Sequence, residues 1–117
     1  MRRILIVDDE DTNQRLLKAI LKPKGYETLE AYDGAEGIKL ARESQPDLIL
    51  MDIQIPEIDG IEAFKILQAE PSTMNIPVIA LTSYAMSGDR EKFLSLGFRD
   101  YVAKAISRNE LLVLVDS

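Results

Sequence analysis

Ile4-Leu5-Ile6-Val7-Asp8-Asp9-Glu10-Asp11 sets four apolar residues, three of them β-branched, directly against four acids. A continuous apolar run of that length suits a strand buried on both faces. Two more runs follow, Leu48 to Met51 and Val78 to Leu81. The first is followed at once by Asp52 and the second by Thr82. Tyr26 to Ala31 alternates polar and apolar residues, which suits the edge of a sheet. Tyr101 to Ala103 makes a short last strand, also placed at an edge, and ends at Lys104.

Helical periods separate these runs. Leu16, Leu17, Ile20 and Leu21 form one apolar stripe, stopped near Pro23 and Gly25. Ala35, Ile38 and Ala41 form a second, opened by Asp33 with Glu36 three residues on. Ile58, Ile61, Phe64 and Leu67 form a third, closed by Pro71. Phe93 and Leu96 belong to a fourth that ends near Gly97, and Ser107 with Glu110 reads as the capping box of a fifth. Five rounds of strand then helix predict an α/β domain, a parallel sheet covered on both faces with right-handed crossovers. An alternating second strand belongs at an edge, which favours the order 2-1-3-4-5. Ligands then bind beyond the carboxyl ends of the strands, where strands 1 and 3 diverge.

The 117 residues fit one domain, 1–117, with no repeat or linker. A net charge of -6 disfavours nucleic acid and anionic membrane surfaces as partners. No cysteine is present, which removes disulfides and thiolate chemistry, and no histidine, which removes a Ser-His-Asp triad and imidazole ligands. A bound metal must therefore meet oxygen, which favours Mg²⁺, Mn²⁺ or Ca²⁺. The apolar run after Met1-Arg2-Arg3 is too short for a signal peptide or a membrane span, so a cytoplasmic setting is expected.

In the predicted order, the tips of strands 1, 3, 4 and 5 bring Asp8, Asp9, Asp52, Thr82 and Lys104 into one shallow cleft. Three carboxylates so close cannot all stay ionised without a counter-charge, which a cation and Lys104 would supply. Such a cation also neutralises an incoming phosphoryl group and lets a carboxylate attack phosphorus. A threonine hydroxyl and an ammonium can hold phosphoryl oxygens. Each residue also has a plainer reading. The acids after strand 1 could cap the next helix, Asp52 could shape a turn before Pro56, Thr82 could close a strand, and Lys104 could be a solvated surface lysine. Their joint placement at four adjacent strand ends favours a site.

The segments Ile4 to Glu10, Pro46 to Asp52, Pro56 to Gly60, Ile79 to Thr82 and Asp100 to Lys104 resemble, in order and spacing, the receiver domains of two-component response regulators. The resemblance spans nearly the whole chain and implies a flavodoxin-like (βα)5 fold. It implies that Asp52 is the phosphoacceptor and that Asp9 is a direct Mg²⁺ ligand, with Asp8 acting through the ion's water shell. Gln54 would give a backbone carbonyl to the ion. Thr82 would be the switch hydroxyl, Lys104 the phosphate-binding lysine, and Tyr101 the aromatic that turns inward on activation. Gln54 and Tyr84 lie where family members tune dephosphorylation. The implied donor is a histidine kinase or histidine phosphotransfer protein docking on the first helix. The readout is the surface of helix 4, strand 5 and helix 5. Thr82 through Asp89 is similar to stand-alone cell-cycle receivers and to receivers fused to hybrid kinases.

Two departures stand out. The family places a proline, joined by a cis bond, after the lysine; here Ala105 follows Lys104. A cis bond to a non-proline residue costs about 2.5–4 kcal/mol, so the loop either carries that strain or goes trans and re-aims Lys104. That raises the alternative of a receiver-like interaction module with weakened or lost phosphorylation, for which Ala105→Pro should raise phosphorylation or its structural response. The final helix also looks clipped. Two other classes fit less well. An aspartyl phosphatase places a second acid two residues after its nucleophile, where Gln54 stands. A flavin carrier needs a phosphate cradle where four acids stand.

Overall fold

The computed structural model describes residues 2–54, 59–83, 88–105 and 107–116. Strands and helices alternate: β1 Arg3–Val7, α1 Asp11–Leu21, β2 Glu27–Ala31, α2 Gly34–Ser44, β3 Leu48–Asp52, α3 Gly60–Ala69, β4 Val78–Thr82, α4 Asp89–Leu96, β5 Asp100–Ala103 and α5 Arg108–Asp116. All strand pairs are parallel, in the order β2-β1-β3-β4-β5. This is the predicted doubly wound, flavodoxin-like sheet. β2 lies at an edge, but its middle residues are half-buried rather than alternating strictly.

The pleat divides the core in two. Leu5, Val7, Ile49, Met51 and Ala80 face Ile38 and Ala41 of α2, Phe64 and Leu67 of α3, and Phe93 of α4. Ile4, Ile6, Leu48, Leu50, Ile79 and Leu81 face Leu17, Ile20 and Leu21 of α1 and Leu111 and Val115 of α5. Successive residues of one strand thus feed opposite cores, which is why these runs are apolar throughout.

Helix ends follow the sequence signals. Asp33 accepts the Glu36 N–H at 2.8 Å and Ser107 accepts the Glu110 N–H at 3.2 Å, each quenching an orphan donor of a first turn. Beyond a short 3₁₀ turn, Lys22–Lys24, Gly25 takes a left-handed conformation. Three stripe assignments need correction. Leu16 is 52% exposed, because Gln14, not Leu16, shares the buried face with Leu17 and Leu21. Ala35 is exposed, and Gly34 and Gly37 take the inner face of α2. Leu96 is 41% exposed, since the chain turns at left-handed Gly97 and Phe98 enters the core instead, stacked on Phe64 at 3.8 Å. Ile58, Pro56 and Tyr84 lie outside the described residues. Among the described residues no helix is long and apolar enough to cross a membrane.

Candidate functional site

The four strand tips converge as the topology requires. Asp52 is the last residue of β3 and only 1% exposed; Asp8, one residue past β1, is wholly buried. Lys104 follows β5, and its backbone N–H donates to the Thr82 carbonyl at 2.7 Å. That bond carries the β4–β5 ladder one residue past the strand and aims the lysine at the sheet centre. Its Nζ lies 2.9 Å from Asp52 Oδ2, 2.7 Å from Glu10 Oε1 and 3.4 Å from Asp8 Oδ2. No peptide bond among the described residues is cis, so Lys104–Ala105 is trans. The lysine nonetheless reaches Asp52, and the feared re-aiming does not occur.

Backbone and amide donors fix the two buried acids. Asp8 Oδ1 accepts the Glu10 N–H at 2.9 Å, and Oδ2 accepts the Asn13 side-chain amide. Asp52 Oδ1 accepts the Gln54 N–H at 2.9 Å, so Gln54 meets the site through its backbone. Carboxylate oxygens of Asp8, Asp9, Glu10 and Asp52 lie within 4.8 Å of one another, with Asp9 and Glu10 exposed. Helix capping does not account for these acids: Glu10 is the N-cap of α1 yet makes no side-chain cap bond. Asp11 stands apart, accepting the Tyr32 hydroxyl at 3.0 Å and pairing with Arg15 at 2.9 Å.

The electrostatics follow. Burial pushes the Asp8 carboxyl above its ordinary range and the Asp52 charge adds to this, against the pull of the Glu10 N–H, Asn13 and Lys104. Burial disfavours the Lys104 ammonium, but hydrogen bonds to Glu10 and Asp52 and the nearby carboxylate charges outweigh it, so its pKa rises. The hydrogen bond from Lys104 holds the Glu10 carboxyl below its ordinary range. Four carboxylates cluster where one ammonium pairs with only three of them, and the donor set is all oxygen, which fits a hard divalent cation.

Thr82 is buried beside the acids at 2% exposure. Tyr101 is 5% exposed and already faces inward, stacked on Phe93 with ring centroids 4.5 Å apart. Its hydroxyl is hydrogen-bonded to Thr82 and donates to Asp89 at 3.2 Å. An edge strand leaves one side without a hydrogen-bonded neighbour, but the aromatic packs over the sheet face.

Four residues of the site carry no individual role in the sequence reading. Glu10 was read only as one acid among four. Asn13 anchors Asp8. Gln14, fully buried, donates to the carbonyls of Ile6, Asp8 and Ala31 at 3.1, 3.2 and 2.9 Å; its spacing from Leu17 and Leu21 was the available signal. Gly60 opens α3 against the end of β3, where an added Cβ would meet the Asp52 carbonyl oxygen at 2.5 Å.

Comparison with known proteins agrees with this geometry. Residues 4–116 match the response regulator receiver domain family. The polar-differentiation response regulator DivK of Brucella anthropi is 43% identical over 106 residues, covering 91% of this chain and 86% of DivK. The receiver domain of the sensor histidine kinase PA1611 from Pseudomonas aeruginosa is 37% identical, with a TM-score of 0.87 over 98% of this chain and 95% of that one. Its crystal structure has a magnesium ion coordinated in the active-site cleft. The chemotaxis protein CheY4 of Vibrio cholerae, 24% identical with a TM-score of 0.90, shares the fold. Parallel order, convergent acids and these relatives agree: the chain belongs to the response regulator receiver domains of two-component signalling.

Proposed function

We propose that Asp52 accepts a phosphoryl group from the phosphohistidine of a histidine kinase or histidine phosphotransfer protein, in a step that depends on Mg²⁺. The observation that carries this reading is the contact of Lys104 Nζ with Asp52 Oδ2 at 2.9 Å inside the carboxylate cluster. An Asp52 oxygen forms a bond to phosphorus as the bond to the donor imidazole nitrogen breaks, and that nitrogen keeps the electron pair. Asp8, Asp9 and Asp52 would hold the ion, with the Gln54 carbonyl as a further ligand, and Mn²⁺ could replace it. When bound, the ion offsets the charge on the phosphoryl oxygens. Lys104 pairs with one of those oxygens and Thr82 donates to another. The Gln54 N–H keeps the attacking carboxylate oriented through Oδ1.

The exposed Leu16 supports the first helix as the dock of the donor. It lines a cavity of about 350 Å³ with Glu10, Asn13, Ser83, Lys104 and Ala105 at the mouth of the site. A phosphoryl group adds close to two negative charges at neutral pH. Drawing Thr82 toward it would break the Thr82–Tyr101 hydrogen bond and change the surface of α4, β5 and α5. With Tyr101 already inward, loss of that bond, not rotation from solvent, would carry the signal. Incubation with Mg²⁺ and a small phosphodonor should add the mass of one phosphate, and Asp52→Asn should abolish the gain. A mass gain that survives in Asp52→Asn would count against this assignment.

The alternative of an interaction module with weakened or lost phosphorylation rests on Ala105. The approach of Lys104 to Asp52 across a trans bond favours the phosphoacceptor instead. A marked rise in phosphorylation in Ala105→Pro would revive the alternative.

A further inference from the structure

We infer that Glu10 is a positioning residue that latches Lys104 across the mouth of the cleft while Asp52 is unphosphorylated, and that this latch must open for the phosphoryl group to be taken. The inference rests on the reading of Asp52 as phosphoacceptor. An ammonium has three N–H donors, and three carboxylates surround this one. Glu10 makes the shortest contact, 2.7 Å, against 2.9 Å for Asp52 and 3.4 Å for Asp8. The Asp8 and Asp52 side chains are 0% and 1% exposed, whereas that of Glu10 is 59% exposed. Glu10 is thus the one partner that can leave without baring or stranding a buried charge.

The Glu10 carboxylate has no capping duty, since it makes no cap bond for α1. It also lines the cavity at the site entrance with Ala105, the residue after the lysine. Phosphorylation adds close to two negative charges at Asp52. The N–H that meets Glu10 is then the donor free to turn inward, because the other two already face the cleft floor. Until it turns, the Glu10 charge also stands in the path of an anionic phosphodonor. Glu10 therefore slows phosphorylation and favours the unphosphorylated state.

Glu10→Gln keeps the shape and removes the charge, and two measurements test it. In metal-free protein, ¹⁵N NMR reads exchange of the Lys104 ammonium protons with water. Exchange should be slow in the native chain and several-fold faster in Glu10→Gln; equal rates overturn the latch. At saturating Mg²⁺ with acetyl phosphate, the variant should be phosphorylated about two- to five-fold faster, the scale of one partly exposed ion pair. An equal or slower rate in a variant with native circular dichroism overturns the latch alone. A native chain that takes no phosphate overturns the phosphoacceptor reading, and the gating role with it.

Discussion

Gly60 sits so close to Asp52 that a Cβ built on it would stand 2.5 Å from the Asp52 carbonyl oxygen and 2.6 Å from Ile53 Cα. Both obstacles are backbone, so neither can yield by a rotamer change. The first turn of α3 therefore presses directly on the strand end that carries the acid. Gly60→Ala should destabilise the fold by roughly 1–3 kcal/mol, the scale of an overpacked core. Urea denaturation checks this, and an unshifted midpoint would show that the α3 start can move away freely.

Magnesium should stabilise the protein in a pH-dependent way. The folded-state pKa of Asp8 lies above its ordinary value of 3.8. The folded state thus binds that proton more tightly, and the contribution to stability is lost as pH rises through the raised value. Above that raised value the metal-free chain carries the penalty of a buried, charged Asp8. The rise in melting temperature on adding Mg²⁺ should therefore grow as pH rises from the ordinary carboxylate range through the raised folded value. A shift independent of pH, measured by scanning calorimetry, would remove Asp8 from the ion's site.

Lys104 gives the opposite end of the same profile. Its folded pKa is raised above 10.5. Its contribution is complete below that unfolded value and disappears as pH rises through the folded one. Melting temperature should fall in that alkaline window, and Lys104→Met should flatten the fall. An equal alkaline fall in the variant would assign it to other groups.

Gln14 holds two strands together from the inside. Gln14→Leu keeps the volume but strips the Ile6, Asp8 and Ala31 carbonyls of a buried donor. A loss of about 1–3 kcal/mol is expected, the cost of leaving a buried acceptor unsatisfied. Because Asp8 is the carbonyl next to the acids, magnesium affinity by calorimetric titration should weaken as well. Full affinity in a destabilised variant would limit Gln14 to a structural role.

Tyr101 separates packing from hydroxyl chemistry. Tyr101→Ala removes the stack on Phe93 and should cost roughly 3–5 kcal/mol. Tyr101→Phe keeps the ring, loses the bonds to Thr82 and Asp89, and should cost about 0.5–1.5 kcal/mol. Equal losses in chemical denaturation would mean that the ring contributes nothing beyond its hydroxyl.

Periodicity alone determined the architecture, because strand runs and helical stripes are local patterns. Ile4 to Val7, Leu48 to Met51 and Val78 to Leu81 name the central strands, and polar Tyr26 to Ala31 names an edge. With that order, Asp8, Asp52, Thr82 and Lys104 must meet, since each follows a neighbouring strand. Which side chains actually touch is another matter. Gln14 hid in a polar position because its three carbonyl partners come from the ends of two strands. Leu16 and Leu96 looked like core until Gln14 and Phe98 took the inner places. Glu10 and Lys104 are 94 residues apart, and no local pattern encodes their contact. Tyr101 faces inward because Phe93, on a different element, offers it a ring to stack on. Local spacing assigns a residue to a face and a strand end; only packing in three dimensions decides which neighbour it finds there.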